Sequence, residues 1–212
     1  FTTSREEFDQ CMKEQKELAK SSRKQEANMN IKNQALLSFD IPSEFLYNTY
    51  TSKGKVIGLF QKEKQVDVLE KEGFVILDKT CFYAESGGQV SDTGMLTSGN
   101  VKARVLGVVK APNGQNLHKI KILDGKMQLG DTLKETVDEA KRHAIEVNHS
   151  SVHLLQYALQ KIVSNTIRQA GSKVDEDSLR FDFTYTGKLL DDKIIETENF
   201  LNEYIQKEMD SK

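Results

Sequence analysis

The strongest constraint on the fold is a double change of periodicity along the chain. Helical spacing near the N-terminus gives way, from Tyr50 to about Val137, to short β-rich runs, and helical spacing returns after Asp138. Five runs carry the middle region, at residues 55–61, 65–70, 74–78, 101–110 and 117–123. Asp78-Lys79, Ser86-Gly87-Gly88, Pro112-Asn113-Gly114 and Asp124-Gly125 supply turn chemistry between them, with glycine tolerating positive φ. Several short strands broken in this way predict a small β-barrel.

On the N-terminal side, Ser4 followed by Glu7 is a capping-box pattern, and Phe8, Cys11, Met12, Gln15, Leu18 and Ala19 trace one mostly apolar helical face. A helix is expected from near Ser4, a linker or fraying helix over residues 21–33, and a short helical turn from Pro42 to Leu46. On the C-terminal side, Leu154, Leu155, Ala158, Leu159, Ile162 and Val163 form an apolar helical face. Residues 178–185 alternate as a half-buried strand, and residues 191–209 are amphipathic helix. The fold class is therefore α+β, with a helix and connector over 1–48, the barrel over 49–137 and the first part of an α+β domain over 138–212.

The 212 residues are 37% hydrophobic, enough for one sizeable core or two small ones. No apolar run approaches the roughly 20 residues of a membrane helix, and the first residues lack the pattern of a signal peptide. Two cysteines without a CxxC pair suit a reducing compartment. A net charge of −2 excludes recognition of nucleic acid by overall basicity, so any RNA contact must be local. Basic residues gather at Lys20, Arg23 and Lys24, and at Lys102, Arg104, Lys110, Lys119, Lys121 and Lys126; solvated surface explains each cluster as well.

The sharpest chemical feature is His149-Ser-Ser-Val-His153. An i, i+4 pair puts both imidazoles on one side of a helix, where they can share a tetrahedral cation such as zinc. Two histidines are half of such a site, and ordinary surface or interface histidines fit the pair too. The metalloprotease pattern is excluded, because Ser150 stands where its general-base Glu would be. Gln156 and Gln160 continue the same polar side. The Ser86-Gly87-Gly88-Gln89 loop can bring backbone amides close to a partner, but a simple turn explains its glycines, and no nucleotide-binding loop pattern is present.

Leu77-Asp-Lys-Thr-Cys-Phe-Tyr-Ala-Glu-Ser-Gly-Gly-Gln-Val-Ser-Asp-Thr-Gly94 resembles the barrel signature of alanyl-tRNA synthetases, and Asn148-His-Ser-Ser-Val-His-Leu-Leu155 resembles their editing-domain metal motif. Gln169-Ala-Gly-Ser172 and Leu179-Arg-Phe-Asp-Phe183 look like two further family segments in the same order, and residues 6–16 are similar to the helix leading into the editing region. The wording around Cys81 looks more like eukaryotic forms. The resemblance implies a β-barrel followed by a truncated editing domain that begins with the HxxxH helix. It implies a parent that ligates alanine to tRNA(Ala) using ATP and hydrolyses mischarged Ser- or Gly-tRNA(Ala).

By motif, His149 and His153 would be zinc ligands and Gln169 would line the pocket. Val152 would also lie in the pocket, where the family commonly has Thr; its methyl group would weaken serine recognition. The family supplies a further Cys and His in a CxxxH arrangement downstream of residue 212, so half the metal site is expected outside this chain, which alone would be inactive. Cys81 is a substitute ligand in principle. ATP and Mg2+ are expected only in a catalytic domain elsewhere in the parent. Expected partners are the tRNA(Ala) acceptor end and the other synthetase domains, with no membrane; the location is cytoplasm or mitochondrial matrix. Two other readings stay open: a non-catalytic tRNA-docking module, and a free-standing trans-editing deacylase.

Overall fold

The computed structural model describes residues 10, 12–14, 34–62 and 64–207. The helix start expected at Ser4, Cys11 and the linker over 21–33 lie outside the described residues; Gln10 and residues 12–14 are helical.

Six strands close the barrel: β2 (Thr51–Gln61), β5 (Glu72–Leu77), β9 (Asn116–Gly125), β8 (Val101–Lys110), β7 (Gly94–Thr97) and β11 (Thr132–Val137), the last pairing back onto β2. All neighbours are antiparallel, and closure leaves no edge within this ring. The pleat is legible in β8, where Val101, Ala103 and Val105 are buried and Lys102, Arg104 and Leu106 exposed. The sequence pattern under-reads the ring at two points: β7 is only four residues, and β11 turns a carboxylate, Glu135, inward between Leu133 and Val137. The run expected over 65–70 is instead two short pieces, β3 (Lys64–Gln65) and β4 (Val68–Leu69), the latter paired with β10 (Met127–Gln128).

The Pro42 segment is not helical. Glu44–Phe45 is a strand, β1, parallel to β6 (Lys79–Thr80), because Glu44 N donates to Asp78 O and Leu46 N to Thr80 O at 2.8 Å each. Asp78-Lys79 is accordingly a bend into β6, with the Asp78 carboxylate accepting from Lys55 N and Lys79 N. β5 is buried on both faces. Its inner side meets the barrel core, and its outer side meets Leu36 of α1 (Gln34–Leu37) together with Phe39.

The inward Glu135 carries its own satisfaction. Ser52 Oγ donates to Oε1 at 2.8 Å and Cys81 N to Oε2 at 3.3 Å. Thr80 Oγ1 lies 2.5 Å from Glu135 Oε2 and 2.9 Å from His118 Nε2, while His118 Nδ1 lies 3.2 Å from the Val75 carbonyl. A carbonyl only accepts, so Nδ1 bears the proton. Burial drives the His118 pKa down to about 4, so the ring is neutral and its Nε2 accepts from Thr80. Burial also pushes the Glu135 carboxyl pKa up, while the hydrogen bonds it accepts oppose that rise.

Beyond the barrel, Asp138 N-caps α2 (Glu139–Ile162), its carboxylate accepting from Lys141 N at 3.1 Å. A hairpin of β12 (Arg168–Val174) and β13 (Leu179–Thr184) follows, then α3 (Asp191–Gln206), which meets α2 through Tyr157, Phe200 and Tyr204. β12 was not anticipated from the sequence, and among the described residues no helix is long and apolar enough to cross a membrane.

Because folding keeps His118 neutral, its contribution to stability is full above its ordinary pKa of 6.5 and is lost as pH falls toward about 4. In urea titrations, the stability difference between the wild type and His118→Gln should therefore shrink by roughly 2 kcal/mol between pH 7 and pH 5. An unchanged difference would show that the ring titrates alike in the native and unfolded states, so that folding does not hold it neutral.

Candidate functional site

α2 presents His149 and His153 one turn apart, His149 half-buried and His153 exposed, with ring centroids 5.2 Å apart. His149 Nδ1 lies 2.6 Å from Gln89 Oε1. An amide oxygen only accepts, so Nδ1 carries the proton and the neutral ring keeps a lone pair on Nε2. Gln89 comes from the barrel, in the loop between β6 and β7, and is 8% exposed. The sequence reading missed its role; the available signal was a buried amide directly after a Gly-Gly pair.

That loop is joined to β12 by backbone. Val174 N donates to Gly88 O at 2.8 Å and Val90 N to Val174 O at 3.0 Å. Gly87 and Gly88 have φ of +61° and +86°, and a Cβ at residue 88 would fall 2.2 Å from the Ser172 carbonyl oxygen. Glycine is therefore required there by both conformation and contact. Ser172 Oγ donates to Gly87 O at 3.3 Å and accepts from Gln169 Nε2 at 3.0 Å. Gln169 can still offer a ligand its carbonyl oxygen and its second amide N–H.

A cleft of about 620 Å³ opens beside His149, between Phe45, Tyr47, Tyr50 and Tyr83 of the barrel side and Glu146 and Ser150 of α2. Tyr50 donates to Glu146 Oε2 at 3.4 Å, and its pKa is raised chiefly by the Glu146 charge, with burial adding to it.

The histidine pair suits a tetrahedral cation. Imidazoles bound to one zinc through Zn–N bonds of about 2.0–2.1 Å place their centroids roughly 5 Å apart, as these are. Among the described residues no group of three or more His, Cys, Asp or Glu converges, so they supply two donors of a set. Cys81 is not a third: it is fully buried in the barrel core, and burial pushes its thiol up to about 11.

The family model for tRNA synthetases class II (A) matches residues 1–141. The chain belongs to this synthetase family. It is 37% identical to the alanine–tRNA ligase of Bacillus cereus over 99% of its length and 40% identical to that of Listeria innocua serovar 6a over 93%. It spans about a quarter of the length of these curated relatives, 24% and 23% respectively.

In this synthetase region the helix is held to the barrel by a buried ion pair. Arg142 Nε donates to Asp92 Oδ1 at 2.8 Å, Nη2 donates to Asp92 Oδ2, and Nη2 also donates to the Cys81 carbonyl at 3.0 Å. Tyr83 N donates to Asp92 Oδ2 at 2.7 Å. Burial works against the Arg142 charge, but the hydrogen bond and charge of Asp92 outweigh it, and the pKa stands above its ordinary value. The sequence signal for this pair was spacing: Arg142 is seven residues before His149, on the same helical face.

The residues expected in the pocket are placed differently from one another. His149 and His153 stand together; Gln169 is exposed on β12 and linked to the Gly87 loop through Ser172. Val152 is 4% exposed in an apolar cluster with Ile145 and Val174, and is not among the residues that line the cleft. Gln160 donates to Ile167 O at 2.8 Å, a structural contact at the end of α2.

Removing one member of a buried pair leaves the other charge uncompensated. Arg142→Ala is expected to lower the unfolding free energy by about 3–5 kcal/mol in urea titrations. A loss below about 1 kcal/mol would show that α2 is held by its apolar contacts alone.

Proposed function

We propose that this region hydrolyses the ester joining serine or glycine to tRNA(Ala), within a parent that ligates alanine to the same tRNA using ATP and Mg2+ at a separate catalytic domain. The observation that carries this reading is the Gln89–His149 contact of 2.6 Å. A histidine whose Nδ1 proton is fixed by a buried amide offers Nε2 to a cation, and second-shell partners of this kind orient metal-bound histidines generally. A second, hydrolytic site has a clear rationale, because an activation pocket cannot strongly reject an amino acid that differs by a small group.

His149 and His153 would hold zinc, with the remaining donors supplied from elsewhere in the parent. When bound, zinc polarises the ester carbonyl or orients the attacking water. The chain's own residues prepare the surroundings. Gln89 holds the His149 ring and its tautomer, and the Gln169 carbonyl can accept from a water or a substrate hydroxyl. The burial of Val152 among Ile145 and Val174 supports packing as its role, so its methyl group gives no reason to infer a loss of serine recognition. Phosphate contacts would be local, and the exposed Lys102, Arg104 and Lys119 on β8 and β9 are available for them.

The test compares this chain with the full-length parent for zinc content and for hydrolysis of Ser- and Gly-tRNA(Ala). Both properties are expected in the parent and absent from the chain alone. A parent that binds no zinc and leaves both esters intact would overturn the reading. In that parent, Gln89→Leu should weaken zinc affinity by about 10- to 100-fold, with Gln89→Glu restoring most of it. The heteronuclear NMR signature of the His149 tautomer should shift away from Nδ1–H in Gln89→Leu; an unchanged signature would mean that Gln89 does not set it.

A further inference from the structure

We infer that Asn113 is a site of spontaneous deamidation, and that the connector docked on it both delays the reaction and is released by it. Asn113 is the only asparagine of the 212 residues that is followed by glycine. It stands in the turn between β8 and β9, where Pro112, Asn113 and Gly114 are all exposed. The following glycine matters because its nitrogen can approach the asparagine side chain with no Cβ in the way. A Cβ built on Gly114 would meet nothing within 4 Å, so the turn is open to water and base.

The reaction consumes water and no other reactant. The Gly114 nitrogen gives up its proton to base and bonds to Asn113 Cγ, the Cγ–Nδ2 bond breaks, and the side-chain nitrogen leaves as ammonia with a proton returned to it. Water then opens the cyclic imide at either carbonyl, leaving an aspartate or, with the main chain rerouted through Cγ, an isoaspartate. In the docked state both reacting groups are held elsewhere. Gly114 N donates to Ala111 O at 2.9 Å, and Asn113 Nδ2 donates to Leu37 O at 2.6 Å and to Phe39 O at 2.9 Å. A nitrogen whose proton is engaged is a poor nucleophile, and an amide fixed by two carbonyls is not free to turn its carbon toward it.

Those two carbonyls belong to the connector. It lies on the barrel through Leu36 and Phe39, with Phe39 meeting Phe60 edge-on at 5.7 Å between centroids and packing over Gly58. Amides next to Asn113 hold it too: Gln115 Nε2 donates to Phe39 O at 2.7 Å and Asn116 Nδ2 to Ser43 Oγ at 3.3 Å. A short segment attached by a few side chains opens locally far more often than a closed barrel unfolds, and each opening frees Asn113. The product carboxylate has no N–H to offer Leu37 O and Phe39 O, and it sets a negative charge against them. Isoaspartate also adds a backbone atom to the turn that the 2.9 Å bond from Ala111 N to Gln115 O closes, which displaces Gln115. Detachment therefore becomes permanent, and the chain that enters the barrel loses its fixed direction.

The experiment ages the full-length parent at mildly alkaline pH and maps amide-to-acid conversion by peptide mass, with isoaspartate read by its specific methylation. Conversion is expected at Asn113 ahead of the other asparagines, faster at higher pH, and about tenfold slower than in a free peptide of residues 110–116. Phe39→Ala, which weakens the docked connector, should raise the rate at Asn113 about tenfold, while Ile145→Ala, which weakens the packing of α2, should leave it unchanged. In Asn113→Asp, and in the aged isoaspartate fraction, hydrogen exchange over residues 34–39 should quicken while β5 and β9 stay as protected as before. No conversion at Asn113 in wild type and Phe39→Ala alike, while the peptide converts, would overturn the assignment. So would a wild-type rate equal to the peptide's, equal acceleration by Phe39→Ala and Ile145→Ala, or unchanged exchange over residues 34–39 in the converted protein.

Discussion

The arrangement of this molecule depends on one buried ion pair. Arg142 and Asp92 are both almost fully enclosed, and two charges taken out of water are tolerated only where geometry and further hydrogen bonds compensate the lost hydration. Here the compensation is nearly complete: two contacts join guanidinium and carboxylate, the Cys81 carbonyl takes another proton, and Tyr83 N serves the second carboxylate oxygen. A pair so specified admits one register of α2 on the barrel. Seven residues on, two turns of the same face, that register brings His149 to Gln89.

The second junction is made of backbone, and it works by the opposite principle. No charge is buried where the Gly87-Gly88 loop meets β12; instead the loop acts as a short extra strand, exchanging hydrogen bonds with Val174. The absence of a side chain at Gly88 lets two main chains approach within a distance that any Cβ would forbid. The charged pair fixes the helix and the glycine contact fixes the hairpin, so the histidines and Gln169 are referred to the same barrel loop. Gln89 lies between the two junctions, which is why one amide can orient a ring on a different element.

Much of this was legible in sequence where the local pattern and the tertiary role agree. The alternation of β8, the N-cap at Asp138, the turns at Gly114 and Gly125 and the one-turn spacing of the histidines all follow from local rules. The unread parts are those where a distant partner decides. β11 carries Glu135 on its inward face, which breaks an apolar alternation and is stable only because Ser52, Thr80 and Cys81 converge on it. β12 contains Gln-Ala-Gly-Ser, poor in strand-forming residues, and is strand because β13 and the Gly88 loop pair with it. Pro42 suggested a helical turn, yet the parallel pairing of Glu44–Phe45 with Lys79–Thr80 wins, since it satisfies backbone groups that a single turn would leave to solvent.

The choice of an amide at residue 89 has a consequence for the proposed chemistry. A carboxylate in that place would also hold Nδ1–H, but it would add a negative charge beside the imidazole and make Nε2 a stronger donor. The amide orients the ring without that charge, so His149 would be the weaker donor. The nearby carboxylate, Glu146, is held in turn by Tyr50 and Arg142. The one cation of the cleft, Arg142, is thus engaged by two carboxylates before any metal binds. A bound zinc ion would then be the dominant charge of the site, and its full effect would fall on the ester carbonyl and the water rather than on neutralising protein groups.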